Sequence, residues 1–233
     1  MDNTDCQLRA AAVAEYGTST RLVSSKFYLR GDTMTNRVCI FLLTLIFIGT
    51  QALAKGPVTK IYDYIYDPGQ LKPVDSQIAV KVGDSAPDFI LPSIKGEKVQ
   101  LSSYRGKSNV VISFIPAAWT PVCSGQWPGY NIARKQFADN DAVLLGISVD
   151  NIPTLYAWTQ QMGELWFDVL SDFWPHGAVA EKYGLLRTNG TAERALIYID
   201  KEGVISAIEV SDINVRPPLE RVFEKLDNFS KAK

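Results

Sequence analysis

Cysteine and histidine are nearly missing from this sequence. Its 233 residues hold three cysteines, Cys6, Cys39 and Cys123, and one histidine, His176. Two-histidine metal motifs and histidine-based triads therefore have no donors, unless carboxylates and Cys123 supply every other ligand, and neither a structural metal nor a cofactor is expected. A charge excess is also lacking: 24 Lys and Arg stand against 25 Asp and Glu, for a net charge of -1. No basic block interleaved with aromatics is present to follow a phosphate backbone, which excludes nucleic acid as an expected partner. The most apolar stretch, Val38 to Ile48, is shorter than the ~20 residues of a spanning helix. What remains is 46% hydrophobic and 21% charged, the composition of one ordinary globular domain with additional segments.

That apolar stretch lies in "MTNRVCIFLLTLIFIGTQALAKG", where the parts of a secretory signal occur in order: Arg37, the run Val38 to Ile48, then Ala52-Leu53-Ala54 as a cleavage site. Cleavage after Ala54 makes residues 34–54 a signal peptide and sends the protein to the bacterial periplasm. The alternative is an uncleaved membrane anchor, with Gly49, Thr50 and Ala52 extending the run. Residues 1–33 would make an oddly long region before the signal, so they are read as a non-native extension ahead of Met34. Cys39 is discarded with the signal. Cys123 is then the only cysteine of the exported chain, and an odd count in a disulfide-favouring compartment points to intermolecular pairing or a free reactive thiol. Residues 55–76, which include "KIYDYIYDPGQLKPVDS", read as an irregular arm. The folded domain is 77–233.

Within that domain Val110 to Ile115 is continuously apolar and β-branched, as in a strand buried on both faces. A helix is predicted through Trp127, Tyr130, Ala133 and Phe137, whose three- and four-residue steps make one apolar face. "AVLLGISV", residues 142–149, is a second buried strand, and Pro153 is a first-turn proline for the next helix. "RALIYID" and "VISAIEV" separated by "KEG" have the spacing of an antiparallel hairpin. Leu219, Val222, Phe223, Leu226 and Phe229 form the apolar face of a last helix after Pro217-Pro218. This order suits an α/β, thioredoxin-like mixed sheet with helices on both faces, although periodicity alone leaves other α/β folds open.

Cys123 stands at the junction of the first strand and helix, in "PAAWTPVCSGQW". Thr120, Pro121, Val122 and Cys123 fit the N-cap, N1, N2 and N3 positions. In that register the Thr120 oxygen reaches the N–H of Val122 or Cys123, and the sulfur lies in a first turn whose unpaired N–H groups favour an anion. Such a setting, with a nearby cation, turns a thiol into a nucleophile. A lone cysteine beside a strand is otherwise a small buried hydrophobe.

The stretch "LSSYRGKSNVVISFIPAAWTPVCSGQ", followed by "RALIYIDKEG", resembles the peroxiredoxin family of thiol peroxidases, whose P-x-x-x-T-x-x-C motif is present as Pro116, Thr120 and Cys123. "GDSAPDFIL" resembles the family's opening strand region, and the similarity runs over residues 79–229. It implies a thioredoxin-like fold with a central mixed β-sheet flanked by helices. It also implies a peroxidatic Cys123 that becomes a sulfenic acid, and an Arg194 that holds thiolate and peroxide oxygens. Thr120 would hydrogen-bond the sulfur or the peroxide, and Pro116 would shield the thiolate. The implied partners are a peroxide and an external thiol or thioredoxin-like reductant, with room for a homodimer. The chain departs from the family in carrying Gln126 where many members have glutamate, and no cysteine follows Cys123. Without the resemblance, Arg194 reads as a surface arginine paired with Glu193, His176 as a loop or helix-start residue, and the tryptophans as core and pocket wall. Two other functions fit the same turn: a periplasmic thiol-disulfide oxidoreductase, since "WTPVC" has the outline of WCxxC, or a redox-inactive thioredoxin-like binding module.

Overall fold

The central strand of the sheet is the one the apolar run announces. A computed structural model of the protein describes residues 61–231; the extension 1–33, the signal segment 34–54, Cys6 and Cys39 lie outside the described residues. Every residue of β3 (Asn109–Phe114) is buried, as a strand covered on both faces must be. It pairs in parallel with β4 (Ala142–Ser148), Val110 opposite Val143, after a crossover through α1 (Pro121–Gly129) and α2 (Arg134–Asp139). Beyond α3 (Ile152–Met162), β5 (Asp168–Ser171) adds to β4 in parallel. After α4 (Ala178–Lys182), β6 (Arg194–Ile199) pairs antiparallel with the other edge of β3, and β7 (Ile205–Ser211) pairs antiparallel with β6. The order is β5-β4-β3-β6-β7, and α5 (Leu219–Lys231) ends the described chain. A separate hairpin, β1 (Ile90–Pro92) with β2 (Lys98–Gln100), precedes the sheet. The sequence reading lacks β5 and α4, both short enough that periodicity has little to act on.

The helix expected over Trp127 to Phe137 is two helices. Pro128 has no N–H to give to Ser124, which weakens the i→i−4 ladder. The chain responds with successive i→i−3 bonds, Tyr130 to Trp127, Asn131 to Pro128, Ile132 to Gly129 and Ala133 to Tyr130, the tighter winding of a 3₁₀ turn. The apolar face survives the break, because Trp127, Tyr130, Ala133 and Phe137 are all buried. α3 starts as predicted, with Asn151 Oδ1 accepting from Thr154 N at 2.9 Å and proline in the first turn.

Alternation along the strands divides the core into two faces. Val110, Ile112 and Phe114 of β3, with Ala195, Ile197 and Ile199 of β6, face α4 and the β1–β2 hairpin. Val111 and Ile115, with Leu196 and Tyr198, face α1, α2, α3 and α5. Val222, Leu226 and Phe229 of α5 are buried on that second face, each contributing about 1.5–3 kcal/mol relative to exposure. Gly146 on β4 lets α1 come close: a Cβ there would stand 2.8 Å from Cζ2 of Trp127. Its lack of a side chain sets how deeply α1 sits.

Three tyrosines are buried in these layers, Tyr130, Tyr183 and Tyr198. Burial pushes the Tyr130 phenol up to about 12 and raises those of Tyr183 and Tyr198 as well, because a phenolate is poorly solvated there. An unfolded tyrosine ionises near 10. The folded state therefore holds these protons more tightly, so the stability they contribute is fully present below about pH 10 and is lost as pH rises through the raised values. Urea midpoints should fall between about pH 9 and pH 12, with phenolate absorbance from these residues developing together with loss of helical circular dichroism. Phenolate absorbance at full native ellipticity from all the tyrosines would contradict this.

Candidate active site

The loop Pro116 to Thr120 turns β3 into α1. Trp119 takes a left-handed φ of 58° there, which costs a residue other than glycine about 1–2 kcal/mol. Two hydrogen bonds hold it: Ala118 N donates to Asp150 Oδ2 at 2.7 Å, and Trp119 O accepts from Tyr66 N at 2.8 Å. Thr120 is the N-cap residue, Pro121 opens the helix, and Cys123 occupies its first turn. The cap itself differs from expectation. The Thr120 hydroxyl donates to Ala117 O at 2.9 Å and makes no bond to the helix, because the bend at Trp119 brings that carbonyl within reach of a side chain that bonds locally. The first-turn N–H groups keep their attraction for an anion.

Strand parity delivers the cation. Arg194 opens β6 with the parity of Leu196 and Tyr198, on the α1 face. It is 2% exposed, and its Nη2 lies 3.5 Å from Cys123 Sγ. Nε and Nη2 donate to Ile213 O at 3.2 and 2.9 Å, and Nη1 donates to Gln126 Oε1. The surface pair with Glu193 does not form: Glu193, of opposite parity, is buried against Arg187 at 2.6 Å. Gln126 passes the connection inward, its Nε2 donating to Tyr130 Oη at 3.0 Å and to Ser113 Oγ at 3.4 Å. An amide here receives from Arg194 with one end and donates with the other, which a carboxylate cannot do.

Cys123 is fully buried, the free thiol among the described residues. Above it opens a pocket of about 560 Å³ whose walls include Pro116, Thr120, Val122 and Arg194. The sulfur is separated from this space by the lining itself, and Arg194 touches both. His176 is a loop residue bonded through Nε2 to Gly190 O at 2.7 Å. Of the tryptophans expected as core and pocket wall, Trp127 and Trp158 are core and Trp166 lines a pocket elsewhere; none lines this pocket, and Trp174 is 81% exposed. Among the described residues no cluster of His, Cys, Asp and Glu could hold a metal, and no helix is long and apolar enough to cross a membrane.

The AhpC/TSA family model matches residues 82–208, more than half of the chain. The chain belongs to the AhpC/TSA family. Alkyl hydroperoxide reductase E of Mycobacterium tuberculosis (strain ATCC 25618 / H37Rv) is 39% identical over 132 residues, 56% of this chain and 86% of that protein. The chloroplastic 2-cysteine peroxiredoxin of Chattonella marina var. antiqua is 32% identical over 146 residues, 59% of this chain and 74% of the other. Among solved structures, the mitochondrial 2-cys peroxiredoxin from Plasmodium falciparum superposes with a TM-score of 0.59 at 28% identity, covering 64% of this chain and 94% of that one. The protein is thus a peroxiredoxin-type peroxidase on a thioredoxin-like fold, which sets aside the thiol-disulfide oxidoreductase and the inert binding module.

Some of this peroxiredoxin's site has no signature in sequence. Ile213 holds Arg194 through its main-chain carbonyl, so any residue type would serve. Gln126 stands out only as a departure, and its role rests on Arg194 being buried. Gln126→Leu leaves Nη1 of Arg194 and the Tyr130 hydroxyl without this partner, each at a cost of about 1–3 kcal/mol. The variant should unfold at lower urea and consume peroxide at least tenfold more slowly, as expected when an oriented charge-stabilising donor is loosened. Unchanged turnover in a destabilised variant would separate Gln126 from the chemistry.

Proposed function

We propose that this protein is an exported thiol peroxidase in which the Cys123 thiolate attacks the terminal oxygen of a peroxide. A bond forms between sulfur and that oxygen while the O–O bond breaks. Cys123 is left as a sulfenic acid, and water or alcohol departs once the leaving oxygen takes a proton. The observation that supports this reading is the Arg194 guanidinium 3.5 Å from Cys123 Sγ, at the start of a helix and beneath an open pocket. A fixed guanidinium lowers the energy of charge moving from sulfur to the leaving oxygen. Thr120 and Pro116, both in the pocket wall, are placed to hydrogen-bond the peroxide and to exclude water. Because the sulfur is buried, the lining must shift by a small amount to admit the –OOH group.

Two equivalents of an external thiol complete the cycle. The first displaces water from the sulfenic acid and forms a mixed disulfide; the second releases Cys123 and leaves as the oxidised thiol. The support for an external reductant is the cysteine count: with Cys6 and Cys39 removed with residues 1–54, Cys123 is the only sulfhydryl. Export rests on the order Arg37, apolar run and A-x-A site. N-terminal sequencing of the exported protein should begin near Lys55, and a start well before Lys55 would show that the segment is an anchor instead.

Intact mass after one equivalent of hydrogen peroxide tests the chemistry. The wild type should gain one oxygen, or one small thiol when that thiol is added, and Cys123→Ser should gain neither and consume no peroxide. Retained turnover in Cys123→Ser would end the assignment. Arg194→Lys keeps the charge but loses the planar fork, and oxidation should slow by about a hundredfold or more. A rate near that of the wild type would remove Arg194 from the mechanism.

A further inference from the structure

The arm ahead of the family-matched region forms part of the active-site pocket. After a 3₁₀ turn at Ile61–Tyr64, the chain runs without regular structure across the mouth of the site. Tyr66, Pro68 and Leu71 line the pocket together with Thr120, Val122 and Arg194. This stretch precedes residues 82–208, which match the family.

The arm is bonded to the domain on both sides of the pocket. Tyr66 N donates to Trp119 O at 2.8 Å. Leu71 and Asn214 exchange a reciprocal pair, Leu71 N to Asn214 Oδ1 at 2.9 Å and Asn214 Nδ2 to Leu71 O at 2.8 Å. Ile213 N donates to Pro73 O at 3.0 Å. Lys72 O accepts from Arg187 Nη2 at 2.7 Å, and Asp75 N donates to Glu193 Oε1 at 2.6 Å, so the buried Arg187–Glu193 ion pair receives the arm with one hydrogen bond from each member. Asp75 also accepts from the N–H and hydroxyl of Thr188. Farther along, Gly184 makes room for residues 77–79: a Cβ there would stand 2.2 Å from Ala79 N. Only glycine permits that path.

We propose that the arm, through Tyr66 and Leu71, is the substrate-selecting wall of this peroxidase and favours hydroperoxides with an apolar substituent of several carbons over hydrogen peroxide. The inference rests on the peroxidase reading above and goes beyond it in assigning the selection to the arm. Hydrogen peroxide is little larger than water, whose share of liquid volume is about 30 Å³. The pocket holds about 560 Å³, within the roughly 300–1,000 Å³ of small-molecule sites. Leu71 and Tyr66 of the arm and Val122, Pro116 and Ile213 of the domain give it apolar surface from both arm and domain. The –OOH group reaches toward the buried sulfur past Thr120 and Arg194, while the substituent stays between arm and domain. Removing that substituent from water favours the bound peroxide in proportion to its apolar area.

Steady-state kinetics with cumene hydroperoxide and with hydrogen peroxide, on the exported chain, test this. In Leu71→Ala the backbone bonds to Asn214 are retained, and kcat/KM for cumene hydroperoxide should fall tenfold or more, mainly through KM. The value for hydrogen peroxide should change less than twofold. Leu71→Met, which keeps the apolar bulk, should restore the preference. Equal changes for both peroxides, or none for either, would overturn the assignment of the arm while leaving the peroxidase intact. Failure of the wild type to consume either peroxide through Cys123 would overturn the peroxidase reading and the arm's role with it.

Discussion

A buried cation with no carboxylate partner among the described residues organises this protein. Arg194 is buried, and its hydrogen-bond partners are the Ile213 carbonyl, the Gln126 amide oxygen and the Cys123 sulfur. A buried charge away from a carboxylate is expensive, and here neutral acceptors surround it, with the Cys123 sulfur 3.5 Å from Nη2. The two residues are 71 positions apart and meet because β6 lies next to β3, whose end leads into α1. Sheet order, strand parity and the depth of α1 over Gly146 all have to hold for that single contact.

A second buried charge is handled in the opposite way. Arg187 and Glu193 neutralise one another at 2.6 Å, with side chains 3% and 0% exposed, and Arg187 Nη2 and Glu193 Oε1 each make one further bond, to the backbone of the arm. Buried ion pairs are weak sources of net stability, and removing one partner leaves an uncompensated charge. What this pair supplies is position. It fixes an irregular segment that has no sheet or helix to hold it, a few residues from the strand that carries Arg194. Ile213 N donates to Pro73 O, and Ile213 O accepts from Arg194, so arm and guanidinium are held by the backbone of one residue.

How much of this could be read beforehand depends on whether side chain or backbone carries the information. β3, β4, the β6–β7 hairpin, the proline-opened α3 and α5 are written in periodicity and turn residues, which act locally. The place of Cys123 in the first turn of α1 was legible for the same reason, from Thr120 and Pro121. The Thr120 hydroxyl was misread, because its acceptor depends on the left-handed Trp119, and nothing in a tryptophan announces that conformation. The break after Pro128 was missed because an apolar face continued through it. Glu193 as the surface partner of Arg194 followed from adjacency in sequence, but adjacent residues in a strand face opposite ways.

That last point has a consequence for how the site is encoded. Positions 193 and 194 carry opposite charges, and the hydrogen-bond ladder that pairs Phe114 with Ala195 decides which of them meets the sulfur. A slip of one residue exchanges the faces of a strand. It would present Glu193 to Cys123 and turn an attractive field into a repulsive one without changing any amino acid. The sign of the potential at the Cys123 sulfur is therefore stored in the alignment of two strands, and the apolar residues that lock that alignment, Ile112 against Ile197 among them, protect the site as much as the fold.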